Sequence, residues 1–166
     1  MHIILREWKK SDREALAALA NNINIWNNVR DRLPHPYTLK HADEFISYCY
    51  AQKPPHVFAI TCNNKLAGCI GLEMQTDTSR LSAEIGYWIG EPYWNKGIAT
   101  EAIISMLEYI SKAFPSLIRI YGYVFEKNIA SMRVLEKCGF HLEGIQRKAV
   151  VKNNNIFDCY VWVKIK

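Results

Sequence analysis

No stretch of this sequence approaches 18 uninterrupted apolar residues, so no membrane-spanning helix is expected. The start, Met1-His2-Ile3-Ile4-Leu5-Arg6, meets charge before a signal-peptide apolar region could form, and a cytoplasmic location is the expectation. There is no Cys-x-x-Cys pair and no His-Glu-x-x-His. The five cysteines (Cys49, Cys62, Cys69, Cys138, Cys159) are an odd number, and the histidines (His2, His35, His41, His56, His141) are equally scattered. Neither a disulfide framework nor a metal site follows from them, and buried free thiols are expected. Runs of five or more Lys/Arg are also missing. The 21 Lys+Arg exceed the 16 Asp+Glu by a dispersed +5, which argues against direct nucleic-acid binding while still suiting a small polyanionic ligand. Repeats, low-complexity tracts and Gly/Ser-rich linkers are absent. The 8 Gly and 6 Pro are too few for a disordered or fibrous chain, and 166 residues suit one domain spanning 1–166.

What is present reads as alternating strands and helices. Residues 2–8 alternate as a strand, and Ser11-Asp12-Arg13-Glu14 has the Ser-x-x-Glu form of a capping box opening a helix to about Ala20. Thr38 caps a further helix carrying Ala42, Phe45, Ile46 and Cys49 at spacings of three and four. From Val57 the period becomes two: strands over 57–62, 66–74 and 81–90, joined by Asn63-Asn64 and by 76–80, predict an antiparallel meander. A long amphipathic helix from about Ala99 ends before Pro115 and is followed by a strand over 117–125. Strand, helix and strand form a crossover, so the two strands flanking the helix are expected to run parallel. A helix over 129–138 closed by Gly139 and a last hairpin turning at Asn153-Asn154-Asn155 complete a mixed α+β chain.

Two stretches carry chemistry. In Ala83-Glu84-Ile85-Gly86-Tyr87-Trp88-Ile89-Gly90 through Trp94-Asn95-Lys96-Gly97-Ile98-Ala99-Thr100, a strand runs into a Gly-containing loop that opens a helix. Unpaired backbone N–H groups and the positive end of the helix dipole then face one spot, which suits phosphate. Gly97 allows close backbone approach, Ala99 keeps the first turn open, and Lys96 and Thr100 add a charge and a hydroxyl. The second stretch runs from Asn128, a ready N-cap, through Ser131 and Leu135 to Gly139-Phe140.

In order and spacing the two stretches resemble the GNAT superfamily of acetyl-coenzyme A-dependent N-acetyltransferases, and within it the branch containing ribosomal-protein N-terminal acetyltransferases. The resemblance implies a twisted, mostly antiparallel sheet with a central parallel crossover pair, flanked by helices. It implies acetyl-CoA as cosubstrate with no metal, and an amine acceptor that is either a peptide N-terminus or a small molecule (polyamine, antibiotic, amino acid). A coenzyme A-binding sensor without catalysis is the non-enzyme alternative, and the assembly is either a monomer or a homodimer.

Coenzyme contacts implied by the resemblance fall on Tyr87, Trp88 and Ile89, on Trp94, Asn95, Lys96, Gly97, Ile98, Ala99 and Thr100, and on Asn128 and Ser131. Trp94 stands where the general signature has Arg or Gln, and Leu135 where many relatives place a Tyr that protonates the leaving thiolate, leaving Ser131 as the candidate for that role. Glu84 is the candidate base, with Glu73 or a water relay in reserve. The aromatic residues Trp26, Tyr37, Tyr48 and Tyr50 occupy the region where relatives build their acceptor pocket.

Overall fold

A computed structural model describes all residues from Met1 to Lys166. The strands are β1 (Ile3–Arg6), β2 (Val57–Cys62), β3 (Lys65–Met74), β4 (Ser82–Ile89), β5 (Arg119–Phe125), β6 (His141–Lys152) and β7 (Asn155–Ile165). The helices are α1 (Arg13–Ala20), α2 (Ile23–Trp26), α3 (Leu39–Tyr50), α4 (Ile98–Ala113) and α5 (Ile129–Lys137). The strands form a seven-stranded sheet in the order β1-β2-β3-β4-β5-β7-β6. The β1–β2, β2–β3, β5–β7 and β6–β7 ladders are antiparallel, and β4–β5 is parallel, as the crossover through α4 requires. No helix is long and apolar enough to cross a membrane. The chain divides into two compact units, one of Met1–Gly71 with Tyr87–Ala102 and the other of Leu72–Gly86 with Ile103–Lys166.

The first unit is built on an apolar cluster. Helix α1 contributes Leu16, Ala17 and Ala20, and α3 contributes Ala42, Ile46 and Cys49; these spacings of three and four put each set on one helix face. Trp8 joins them and meets Phe45 edge-on, with ring centroids 5.3 Å apart. Thr38 caps α3 as expected: its Oγ1 accepts the His41 N–H at 3.3 Å, while the His41 Nδ1 accepts the Thr38 N–H at 3.1 Å, so a histidine plays the part usually given to Glu. At Asn63 and Asn64, φ values of 48° and 64° suit the tight hairpin turn between β2 and β3.

The expected Ser11 capping box is absent. Lys10–Asp12 forms a 3-10 turn ahead of α1, and the Asp12 carboxylate accepts the Lys9 N–H at 2.8 Å. It also takes two bonds from Arg6, at 2.7 and 2.8 Å. A two-point guanidinium pair is stronger than a neutral hydroxyl bond, which is why the chain turns on Asp12 rather than on Ser11. Burial pushes the Asp12 carboxyl upward, but the bonds from Arg6 and Lys9 outweigh it and hold the group below its usual range. Stability from this group is therefore complete above the unfolded carboxyl value of about 4 and is lost as pH falls through the lower folded value. Asp12→Asn is expected to melt below wild type at pH 7, and the gap is expected to narrow as pH falls below about 4; thermal melts from neutral to acid pH check it.

In the second unit, β5 points Ile120 and Val124 inward, and α5 buries Met132 and Leu135. Asn128 Oδ1 accepts the Ser131 N–H at 3.2 Å and caps α5. At the other end Gly139 has a φ of 80°; its N–H reaches the Glu136 carbonyl at 3.0 Å, and the Phe140 N–H reaches that of Leu135 at 3.1 Å. This is a Schellman closure, with buried Leu135 and Phe140 as its apolar pair. The β6–β7 hairpin turns at Asn153 and Asn154, with φ of 48° and 58°. All five cysteines are free and buried, in agreement with expectation. Burial pushes the Cys49 thiol up to about 12 and the Cys69 thiol well above its usual value.

Candidate active site

In the first unit, β4 leaves its last residue Ile89 and enters a loop that holds itself in shape. Glu91–Tyr93 is a 3-10 turn, with the Tyr93 N–H on the Gly90 carbonyl at 2.8 Å. The Glu91 carboxylate accepts from Asn22 at 2.6 Å and from Asn24 at 3.2 Å, and these bonds hold it below the usual carboxylate range. The Trp94 Nε1–H donates to the Ile89 carbonyl at 2.7 Å, tying the loop back to the strand. Asn95 and Gly97 take φ of 58° and 75°, and the Glu101 N–H on the Gly97 carbonyl at 3.2 Å closes the first turn of α4. The amides of Ile98 and Ala99 lie inside that turn, where the helix supplies no acceptor and its dipole is positive. Nothing lies within 4 Å of a Cβ built on Gly97, so the approach to these amides is open. The first turn rests on Ile98, which is 1% exposed.

The expectation for Lys96 is refined. Its Nζ donates to the Pro92 carbonyl at 2.7 Å and lies 5.8 Å from the Tyr93 ring, so its charge is anchored within the loop. Trp94 is 37% exposed and acts through its indole N–H as the clamp between loop and strand. The sequence does not reveal this role, because the partner is a backbone carbonyl, invisible in a motif. Trp94→Phe keeps the ring and loses the bond, removing about 1 kcal/mol of local order. It is expected to speed hydrogen exchange of the loop amides about fivefold with little change in the melting temperature; hydrogen-exchange mass spectrometry reads the first and a thermal melt the second.

In the second unit, Glu84 is half-buried on β4 and in register with Tyr121 of β5. The β4–β5 ladder covers Ser82–Glu84 against Arg119–Tyr121. The Gln75 N–H bonds the Ser82 carbonyl at 3.0 Å, a register that carries Glu73 to a place across from Glu84. Glu73 is exposed. Ser131 is half-buried in the first turn of α5, its N–H held by Asn128. Leu135, one turn on, is 1% exposed and belongs to the core. Of the aromatic residues expected near the acceptor, Tyr37 is buried in the first unit's core and burial raises its hydroxyl's pKa, Trp26 lies against His35, and Tyr48 and Tyr50 face solvent. No group of three His, Cys, Asp or Glu side chains could hold a metal ion. A surface cavity of about 300 Å³ beside Arg80, Leu81, Ser82, Ile118 and Arg119 contains none of the sequence-predicted site residues.

A family model described as an acetyltransferase (GNAT) domain matches residues 2–141. The chain belongs to the GNAT acetyltransferase family. Among its GNAT relatives, a probable N-acetyltransferase of Bacillus subtilis, YjcK, is 38% identical over 58% of this chain and 52% of its own length. The chain thus matches about half the length of that relative. The L-amino acid N-acetyltransferase AaaT of Escherichia coli is 24% identical over 99% of this chain and 98% of its own. Among solved structures, RimL, a ribosomal L7/L12 α-N-protein acetyltransferase in complex with coenzyme A, superposes with a TM-score of 0.87. It covers 98% of this chain and 93% of its own at 20% identity, a likeness of fold.

Proposed function

We propose that this GNAT protein transfers the acetyl group of acetyl-CoA to a primary amine by direct attack. The observation that carries the reading is the open first turn of α4: positive φ at Gly97, clear space over it, and the amides of Ile98 and Ala99 at the positive helix end suit a pyrophosphate. In this reading the loop Trp94–Asn95–Lys96–Gly97 and the residues Ile98, Ala99 and Thr100 hold the phosphates. The backbone of Tyr87, Trp88 and Ile89 takes the amide-rich pantetheine arm as an added strand. Asn128 and Ser131 serve the thiol end.

The acceptor attacks as a neutral amine, yet free amines hold their proton up to pKa values of roughly 8 to 10. Glu84 is the base that takes it, with Glu73 or a water relay as the alternative. The N–C bond forms, the C–S bond breaks, and the departing thiolate receives a hydrogen bond from Ser131. Buried thiols, with Cys49 raised to about 12, offer no nucleophile for a covalent acyl-enzyme route.

For the acceptor, the full-length match to an enzyme named for L-amino acids favours a small amine, and the fold likeness to RimL favours a protein N-terminus. Acetyl-CoA at 100 times its dissociation constant is expected to stabilise the protein by roughly 2.7 kcal/mol. Thiol release on a panel of peptides beginning with Ala or Ser, amino acids and polyamines then names the acceptor. No thermal shift at millimolar acetyl-CoA overturns the reading, whereas a shift without thiol release on any amine favours a coenzyme sensor.

A further inference from the structure

Strand β5 has two different faces. Ile120, Gly122 and Val124 are buried, while Arg119, Tyr121 and Tyr123 alternate with them on the opposite face. Because β4 runs parallel in the register Ser82 to Arg119 and Glu84 to Tyr121, the Glu84 side chain stands on the same face as these tyrosines. Gly86 comes next on that face of β4. It is exposed, and a Cβ built on it meets nothing within 4 Å, so the space beyond Glu84 is open. The two strands are still close there, since a Cβ on Gly122 would sit 3.3 Å from the Ile85 carbonyl oxygen. The open space therefore has a carboxylate at one end, bare backbone as its floor, and the rings of Tyr121 and Tyr123 alongside.

The rings are held in place. Tyr121 and Tyr123 pack edge to face with centroids 5.5 Å apart. The Arg119 guanidinium lies 5.4 Å from the Tyr121 ring, and Glu143 takes its charge through a two-point ion pair, one bond of which is 2.6 Å. A cation arriving beside these rings thus meets aromatic side chains and the Glu84 carboxylate, while the charge of Arg119 is paired by Glu143.

We propose that Gly86 is the floor, and Tyr121 and Tyr123 the wall, of the subsite that receives the acceptor, a protonated primary amine on a narrow arm, beside Glu84. The proposal rests on the acetyltransferase reading above. Aromatic faces attract the ammonium before it gives up its proton, and the missing side chain at Gly86 sets the width of arm that fits. The same chemistry is shared by a peptide N-terminus and a small free amine, so both belong in the test.

Gly86→Leu fills open space on a strand and is expected to melt like wild type and to bind acetyl-CoA with unchanged affinity, while the acceptor KM rises about tenfold or more. Gly86→Ala is the milder companion, expected to raise it about threefold. Tyr121→Ala is expected to raise the acceptor KM about fivefold and Tyr121→Phe, which keeps the ring, to leave it within about twofold. Each is measured with the peptide panel and with the small-amine panel. An unchanged acceptor KM in a folded Gly86→Leu or Gly86→Ala protein overturns the subsite alone. A wild-type protein that neither binds acetyl-CoA nor releases thiol overturns the acetyltransferase reading, and the subsite with it.

Discussion

Glu84→Gln is expected to lower turnover about 100-fold at neutral pH while leaving the affinity for acetyl-CoA unchanged, because a positioned base contributes two to four powers of ten to a proton transfer. Glutamine preserves the shape and the place on β4, in register with Tyr121, and removes only the ionisable carboxylate. If the loss arises from base catalysis, it shrinks as pH rises toward the amine's own pKa of roughly 8 to 10, where the acceptor arrives already neutral. Initial rates from pH 6 to 10 decide the point. A variant with wild-type rates at every pH removes Glu84 from the mechanism, and Glu73→Gln then becomes the informative substitution.

Gly97→Val is expected to abolish stabilisation by acetyl-CoA altogether. At φ of 75° a β-branched residue costs about 1 to 2 kcal/mol in backbone strain, although no atom lies within 4 Å of the new Cβ. To relieve that strain the chain leaves the left-handed region, and the amides of the first turn are no longer presented together. Gly97→Asn separates conformation from bulk: asparagine tolerates this region, as Asn95 already does two residues earlier at φ of 58°. It is expected to keep a measurable acetyl-CoA shift where valine keeps none. Equal shifts from all three proteins would show that the loop's backbone shape is irrelevant to the coenzyme.

Features set by neighbours in the chain are legible in the amino-acid sequence alone. Thr38 and Asn128 cap their helices, Gly139 closes α5, and paired asparagines turn both hairpins, because each needs only residues a few positions apart. The parallel β4–β5 pair is legible for a related reason: a crossover through α4 leaves one handed solution. What escapes a sequence reading depends on distant partners. Ser11 loses the helix start to Asp12 because Arg6 folds back onto that carboxylate. The Trp94 clamp needs the carbonyl of Ile89, and the fold of Lys96 onto Pro92 needs the loop's shape. Leu135 is explained by its burial beside the Schellman turn, where it packs as the apolar partner of Phe140. The face shared by Glu84, Gly86, Tyr121 and Tyr123 requires the register between strands separated by a whole helix.

The burial of Cys49, Cys62, Cys69, Cys138 and Cys159 reaches beyond packing. A colour reagent that reports coenzyme A by its newly freed sulfhydryl finds no exposed cysteine thiol on the native protein, so the blank is low and slow acceptors become measurable. The same reagent turns into a gauge of unfolding, since each molecule that opens discloses five reactive groups at once.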